Sequence, residues 1–592
     1  MKRATLLAWA TLAACSAEPE RWIPVRDSGT NSRVDSGGPT RCDPAQIYCN
    51  GNETYTCAED GTVLTRQACT GATPVCAPGV GCRVCVPGAS RCDPSNPSRA
   101  QTCAPDGRSF SDGVTCDEAD GEQCVSGACV SRCSDSALGR SYLGCDYWPT
   151  VTANGALDPN FTFAVVLSNP QTYAVRATIT GGALTTPLTV NLTPGAIETV
   201  TLPWVNDLVQ FDPRCVPVRG GACRGTAPPP TSTLRRGGAY HVHTNGPIAA
   251  YQFNPLTYER PTGYFSYTND ASLLLPQGVL RQRYIVSTWP NVYSGGETSG
   301  GFVAITAVTG ESTTVTVRPT ANVSAGLGVP SIARGATREF SLQPGDVLEL
   351  IGDGPGDLTG TTIESSQPVA VYVGHNCTTI PTSRPACDHL EEQLFPNETW
   401  GRDYLVSALR DRGPTIPSIL RVMSQVDGNQ ITFDPPSAGQ ARTLNAGEFF
   451  EFSSVNHFRI QGSGAFLVTQ FMVGQGPATG GGTGAGDPAM VFEVPVQQFR
   501  NSYDFYVPAT YPTNYLNVVA PEGTQLTLDD APFTGTPDSV AGFSVYAQRI
   551  TAGPHRIRST NNQGFGIKVY GIAPYTSYMY PGGLDLQLIT PG

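Results

Sequence analysis

Pro368-Val369-Ala370-Val371-Tyr372 is a proline followed by small, β-branched and aromatic residues, the composition of a strand. The stretch returns three times, as Pro247-Ile248-Ala249-Ala250-Tyr251, Ala465-Phe466-Leu467-Val468-Thr469 and Gly566-Ile567-Lys568-Val569-Tyr570. Upstream of each lies a hinge: Leu192-Thr193-Pro194-Gly195, Leu342-Gln343-Pro344-Gly345, Leu444-Asn445-Ala446-Gly447 and Ile550-Thr551-Ala552-Gly553. The glycine in each supplies the backbone freedom of a tight turn. A third landmark is a proline followed eight residues later by a tyrosine that opens a strand: Pro276 to Tyr284, Pro396 to Tyr404, Pro495 to Tyr503. Ser141-Tyr142-Leu143 is its looser counterpart in the first copy. Four units of roughly 100 residues therefore share one order of landmarks.

Inside a unit the alternation is that of half-buried strands, as in Thr313-Thr314-Val315-Thr316-Val317, while Phe302-Val303-Ala304-Ile305 reads as a fully buried one. The second unit holds about seven such runs, near Tyr284, Phe302, Val315, Phe340, Leu348, Ile363 and Val371. Seven short strands suit a two-sheet antiparallel sandwich. A propeller blade of about 40–50 residues is too short for this unit. Fifty-six residues separate Gly195 from Tyr251, against 27, 22 and 17 in the later units, so the first unit carries an insertion of roughly 30 residues. It contains Cys215, Cys223 and Pro228-Pro229-Pro230, and a Cys215–Cys223 bridge would pin it. Such an insertion is either a binding loop or a neutral one. Gly480-Gly481-Gly482-Thr483-Gly484-Ala485-Gly486 lacks the lysine of a phosphate-cradling loop and reads as a linker.

The composition agrees. The 592 residues are 15% charged, with 65 Gly and 50 Pro, which favours turns and strands over long helices. Hydrophobic residues at 40% can fill several cores, which excludes wholesale disorder. Net charge is −12 and the two lysines are Lys2 and Lys568, so the chain lacks a nucleic-acid footprint.

Between Cys42 and Cys145 stand 14 cysteines in 104 residues, the density of a disulfide scaffold. Cys57, Cys69, Cys76, Cys82 and Cys85 are echoed by Cys103, Cys116, Cys124, Cys129 and Cys133 at offsets of 46 to 48. Two modules this small bury too little apolar surface to fold without crosslinks. Cys82-x-x-Cys85 has zinc-knuckle spacing, but no second such pair follows and the region has no histidine. The order of cysteines leaves their connectivity open.

Met1-Lys2-Arg3 and the apolar run from Ala4 to Ala13 have the charged start and short core of a secretory signal, too short to span a bilayer. The run ends in Leu12-Ala13-Ala14-Cys15, which resembles the lipobox of bacterial lipoproteins; Cys15 would then be the acylated first residue. Removing it leaves 18 cysteines, an even number. The expected organisation is a signal peptide at 1–14, a lipidated flexible tether at 15–41 and a Cys-rich repeat region at 42–134. A β region at 135–585 follows, with units near 135–258, 270–376, 388–474 and 487–585. The fold class is thus mainly β: a disulfide-rich stalk followed by about four tandem antiparallel β-sandwich units.

Three stretches carry a family resemblance. They are Gly238-Ala239-Tyr240-His241-Val242 running on to Tyr251-Gln252-Phe253-Asn254-Pro255, Ser266-Tyr267-Thr268-Asn269-Asp270 running on to Pro276, and Ala386-Cys387-Asp388-His389-Leu390-Glu391-Glu392-Gln393-Leu394. Together they resemble the amino-terminal domain family of the IgG Fc-binding mucus protein, which has many exported bacterial members. The resemblance covers roughly 135–585 and implies an extracellular, non-catalytic, β-rich binding or adhesive region. It assigns no residue to antibody contact.

Chemistry-bearing motifs are sparse. The six histidines form no His-Glu-x-x-His, and neither a Gly-x-Ser-x-Gly elbow nor a phosphate-binding loop occurs. The densest polar cluster is His375-Asn376-Cys377 with Cys387-Asp388-His389 and Glu391-Glu392. A Cys377–Cys387 disulfide would bring His375 and His389 together. Three readings follow: a structural disulfide with solvated neighbours, a disulfide beside a polar site in which the two histidines with Asp388 or Glu391 hold zinc or copper, or a thiolate metal site. His241-x-His243 places two imidazoles on one strand face, commonly an ordinary pair. Asp353-Gly354-Pro355-Gly356-Asp357 lacks the ligand spacing of a calcium loop and reads as a turn.

The expected function is a lipoprotein of the bacterial envelope, at the outer membrane or cell surface. It is anchored through Cys15 and binds an extracellular glycan, matrix or protein partner without catalytic residues or cofactor. The alternative is a secreted polysaccharide-acting enzyme with dispersed carboxylates. A periplasmic solute-binding lipoprotein is disfavoured, because that class is usually α/β.

Overall fold

The computed structural model describes residues 43–211, 216–218, 221–224, 230–294, 297–384, 386–410, 416–476 and 486–589. The signal segment, Cys15, the tether, Cys42 and Cys215 lie outside the described residues, as does the side chain of Cys223. The chain divides into two compact bodies, one ending at Ser131 and the other beginning at Arg132.

The N-terminal body repeats one design. A three-stranded sheet (Ile47–Asn50, Glu53–Cys57, Val63–Ala68) is followed by a hairpin (Val75–Ala77, Gly81–Arg83). A second sheet (Ser90–Asp93, Asn96–Thr102, Val114–Thr115) and hairpin (Glu122–Val125, Ala128–Ser131) follow in the same order. The disulfides repeat with them: Cys49–Cys76 and Cys69–Cys82 in the first module, Cys92–Cys124 and Cys116–Cys129 in the second. Cys85 bonds Cys103, so it belongs to the second module, and Cys133 bonds Cys145 in the C-terminal body. Each 13-residue bridge lowers the entropy of the unfolded chain by an amount worth about 3 kcal/mol.

In the C-terminal body the first unit is built from β1 (Gly144–Tyr147), β2 (Phe163–Ser168), β3 (Val175–Gly181), β4 (Leu188–Leu192), β5 (Ile197–Leu202), β6 (Tyr240–Phe253) and β7 (Ala271–Leu273). The second repeats this with β8 (Arg281–Ile285), β9 (Gly301–Ala307), β10 (Thr313–Arg318), β11 (Arg338–Leu342), β12 (Val347–Asp353), β13 (Thr362–Thr378) and β14 (Asp388–Gln393). One long strand per unit crosses between sheets. The first residues of β13 pair with β8 and β10, and its later residues with β9 and β14. Ile363 and Val371, read in the sequence as two strands, thus lie on one. In the third unit the crossing strand is broken into Phe458–Gly462 and Phe466–Met472, in the fourth into Gly553–Ser559 and Gly566–Ala573. The alternation of β10 puts Val315 and Val317 inside, and hydrophobic β9 is buried throughout.

Each unit ends in a strand that the sequence does not announce: β7, β14, β15 (Ala489–Phe492) and β16 (Thr576–Pro581). These four pack on one another in a closed circuit, β7 on β14, β14 on β15, β15 on β16 and β16 on β7. The four sandwiches therefore surround a common axis. Asp270, just ahead of β7, sits at that axis. Its Oδ1 accepts from the N–H groups of Ala271 (3.0 Å) and Met579 (3.2 Å), its Oδ2 from those of Glu391 and Met490 (both 3.1 Å). One carboxylate thus takes one backbone donor from each unit.

The circuit is fastened at the chain ends. Tyr142 N–H bonds the Leu584 carbonyl (3.1 Å), Leu586 N–H bonds that of Arg140 (3.2 Å), and one hydrophobic cluster includes both Tyr142 and Leu586. The first unit's insertion also reaches outward, placing Thr233–Arg235 beside β12. Buried side chains tie later units: Arg421 of the third meets Asp357 of the second (3.0 Å), and Lys568 of the fourth meets Glu493 at the end of the third (2.6 Å).

Candidate functional site

The polar cluster singled out in the sequence is buried. Cys377 and Cys387 are disulfide-bonded across the end of the β13–β14 pairing, and His375, Asp388, His389, Glu391 and Glu392 are fully buried. This corrects the expectation of solvated neighbours: β14 is an axial strand with other units packed over it, a burial its polar composition does not announce. Glu391 is held by the first unit through Thr152 Oγ1 and Gln252 Nε2 (both 2.6 Å), Ser272 Oγ (3.0 Å) and Asn254 Nδ2 (3.1 Å). Burial works to raise its pKa, but hydrogen bonding from His389 and these donors holds it below the usual value.

The surrounding acids behave oppositely. Burial drives Glu392 well above the carboxylate range, with Asp270 and Glu391 adding repulsion. Burial lifts Glu349 to about 8, although Ala153 N–H donates to it at 2.8 Å. His375 is pushed down to about 3 by burial and by neighbouring His389, and its Nδ1 accepts from Cys377 N–H (3.2 Å). His389 stacks on Phe302, 5.7 Å between ring centres, and its Nε2 lies 3.7 Å from Glu391 Oε2. This is a closed polar interface between two units.

Donor atoms converge elsewhere, on the surface. Asp146 of β1 lies directly opposite His243 of β6, and His241 stands two residues away on the same face. Asp146 Oδ1 is 2.9 Å from His241 Nε2 and 2.8 Å from His243 Nδ1. Trp148 stacks on His241 at 4.3 Å with the planes 12° apart, and its Nε1–H donates to Gln277 Oε1 (2.8 Å). Burial alone would raise the Asp146 carboxyl, but the two histidine hydrogen bonds dominate and hold it far below its usual value. The same hydrogen bond raises His243. The histidine pair was legible in the sequence; Asp146, nearly 100 residues away, carried no signal of its own.

Three open polar clefts border the first unit. One of about 320 Å³ is walled by Asp146, Asp135, Gln277 and Arg281. Another of about 310 Å³ lies between Asn169 and Ile197 of the first unit and Asp504, Asp529, His555 and Arg556 of the fourth. The third, about 380 Å³, is lined by Arg140, Gln171, Arg500 and Asp585.

Residues 270–571, just over half of the chain, match the family described as IgGFc binding protein. The human IgGFc-binding protein is 30% identical over 185 residues, which are 31% of this chain and 3% of the human protein. The aligned part is thus a small fraction of that relative.

Proposed function

This chain belongs to the IgGFc binding protein family, and from that premise we propose that it is an exported lipoprotein whose ring of sandwiches binds an extracellular protein or glycan partner without chemical turnover. The observation that carries the reading is the position of the three clefts, each at a junction that includes the first unit. Most of that unit, including the long insertion, precedes the matched residues 270–571, so the shared fold serves as a rigid frame and the added part sets specificity. The lipobox-like Cys15 supplies anchorage in the bacterial envelope, and the crosslinked modules after it act as a spacer.

The enzyme alternative has its nearest foothold in the cleft holding Asp504 and Asp529. There Asp504 is paired with Arg556 and Asp529 with His555 (2.7 Å), an arrangement suited to recognition. The test is capture by the soluble chain, residues 42–592, from extracellular protein fractions and glycan arrays. Binding that is lost when cleft residues of the first unit are changed supports the reading. Retention of no protein or glycan, or hydrolysis of an arrayed glycan, overturns it. Mass spectrometry of the native N-terminus checks the anchor: a diacylglyceryl group on Cys15 is expected.

A further inference from the structure

We propose that Asp146, His241 and His243 form a binding site for one divalent transition-metal ion of the zinc type. Two imidazoles and a carboxylate are a donor set that zinc accepts, at bond lengths of about 2.0–2.2 Å. Ligand atoms at those lengths stand roughly 3–3.5 Å from one another around the ion. Here the three donor atoms all lie within 4.8 Å of one another, and the two nitrogen–oxygen separations are 2.9 and 2.8 Å, so a small outward movement of the side chains admits the ion.

The frame is preorganised. All three ligands project from paired strands, where cross-strand register fixes Asp146 against His243. The Trp148 ring, held by its bond to Gln277, limits rotation of His241. The site is reachable, because the His241, His243 and Asp146 side chains are 29%, 59% and 33% exposed. Asp146 also forms a wall of the 320 Å³ cleft. Three protein ligands leave a coordination position for water or for a donor from a bound molecule. An ion takes the lone pair of a neutral imidazole, whose proton stays on the other ring nitrogen, while an imidazolium must first lose one proton to solvent, so uptake weakens on acidification. This assignment does not depend on the partner-binding reading.

The experiment is calorimetric titration of the untagged full-length protein, carrying Cys15→Ser in every sample, with ZnCl₂ under non-reducing conditions that keep the disulfide-bonded cysteines from competing. One equivalent is expected to bind at this site. Asp146→Asn and His243→Gln should each weaken uptake at least ~tenfold, because each removes a ligand. His457→Gln, whose ring contacts Ala408, Arg410 and Asp538 in place of these ligands, should leave it unchanged. A measurement without substitution in the site guards against misfolded variants: Zn²⁺ should protect His241 and His243 of the parent protein from diethyl pyrocarbonate. No uptake by the parent protein, equal uptake by Asp146→Asn, or unaltered carbethoxylation of both histidines overturns the proposal.

Discussion

Asp270 concentrates much of the fold in one side chain. Each of its oxygens accepts two backbone N–H groups, so an amide in its place must turn a nitrogen toward one of those pairs. Leaving two buried donors unpaired costs about 2–6 kcal/mol. Asp270→Asn should therefore lower the thermal midpoint of the C-terminal body by several degrees or more in a calorimetric scan, and an unchanged midpoint would refute the hub. Glu349 sets a pH dependence at the same scale. Its folded pKa of about 8 lies above the usual 4.5, so stability is greatest below the unfolded value and falls as pH climbs toward 8. The slope for one proton is at most about 1.4 kcal/mol per pH unit. His375 works in the other direction: its folded value near 3 against the usual 6.5 means stability falls as pH drops from 6.5 toward 3. Urea unfolding across pH should show Glu349→Gln flattening the alkaline limb and His375→Gln the acid limb. Neither role could be read from sequence, because a Glu in a strand looks alike whether it faces solvent or another unit.

At the scale of elements, the apolar runs were legible and the axial strands were not. β9 and β10 announce themselves through buried or alternating hydrophobic residues, whereas β14, Asp-His-Leu-Glu-Glu-Gln, has the composition of a surface. What it lacks in apolar character it recovers in hydrogen bonds across units. Arg421 does similar work between the second and third units. Its fully buried guanidinium contacts Asp357 and Glu451, donates to the Thr288 carbonyl and lies 4.6 Å from the Phe449 ring centre. Arg421→Met should destabilise the protein by about 3 kcal/mol, near the low end for a buried pair because Glu451 still reaches water. Denaturant titration measures it. The repeated cysteines predict a second separation: a reductant should unfold residues 43–131 while the four sandwiches persist. Hydrogen exchange with and without reductant would show it, and equal loss of protection in both bodies would contradict it.

For the whole molecule, three landmarks repeated in one order revealed the four copies but not their closure. Closure depends on contacts between residues hundreds of positions apart, such as Tyr142 with Leu584, that leave no local pattern. It makes the last residues structural. Deleting 582–592 removes the buried side chains of Leu584 and Leu586 and the backbone bonds to residues 140 and 142. The shortened chain should lose the single cooperative transition expected of the closed ring and unfold in at least two steps by calorimetry. Retention of one sharp transition would show that the circuit holds without its clasp.

Lys568, the one ε-amine among the described residues, lies between third- and fourth-unit side chains and is only 5% exposed. Exposed cations on this part of the molecule are consequently guanidinium groups, which resist acylation, or imidazoles, whose acyl adducts hydrolyse instead of persisting as amides. Acetyltransferases, ubiquitin ligases and succinimidyl esters would find no lysine handle there until the assembly breathes open, and the rate at which Lys568 becomes labelled would time that opening.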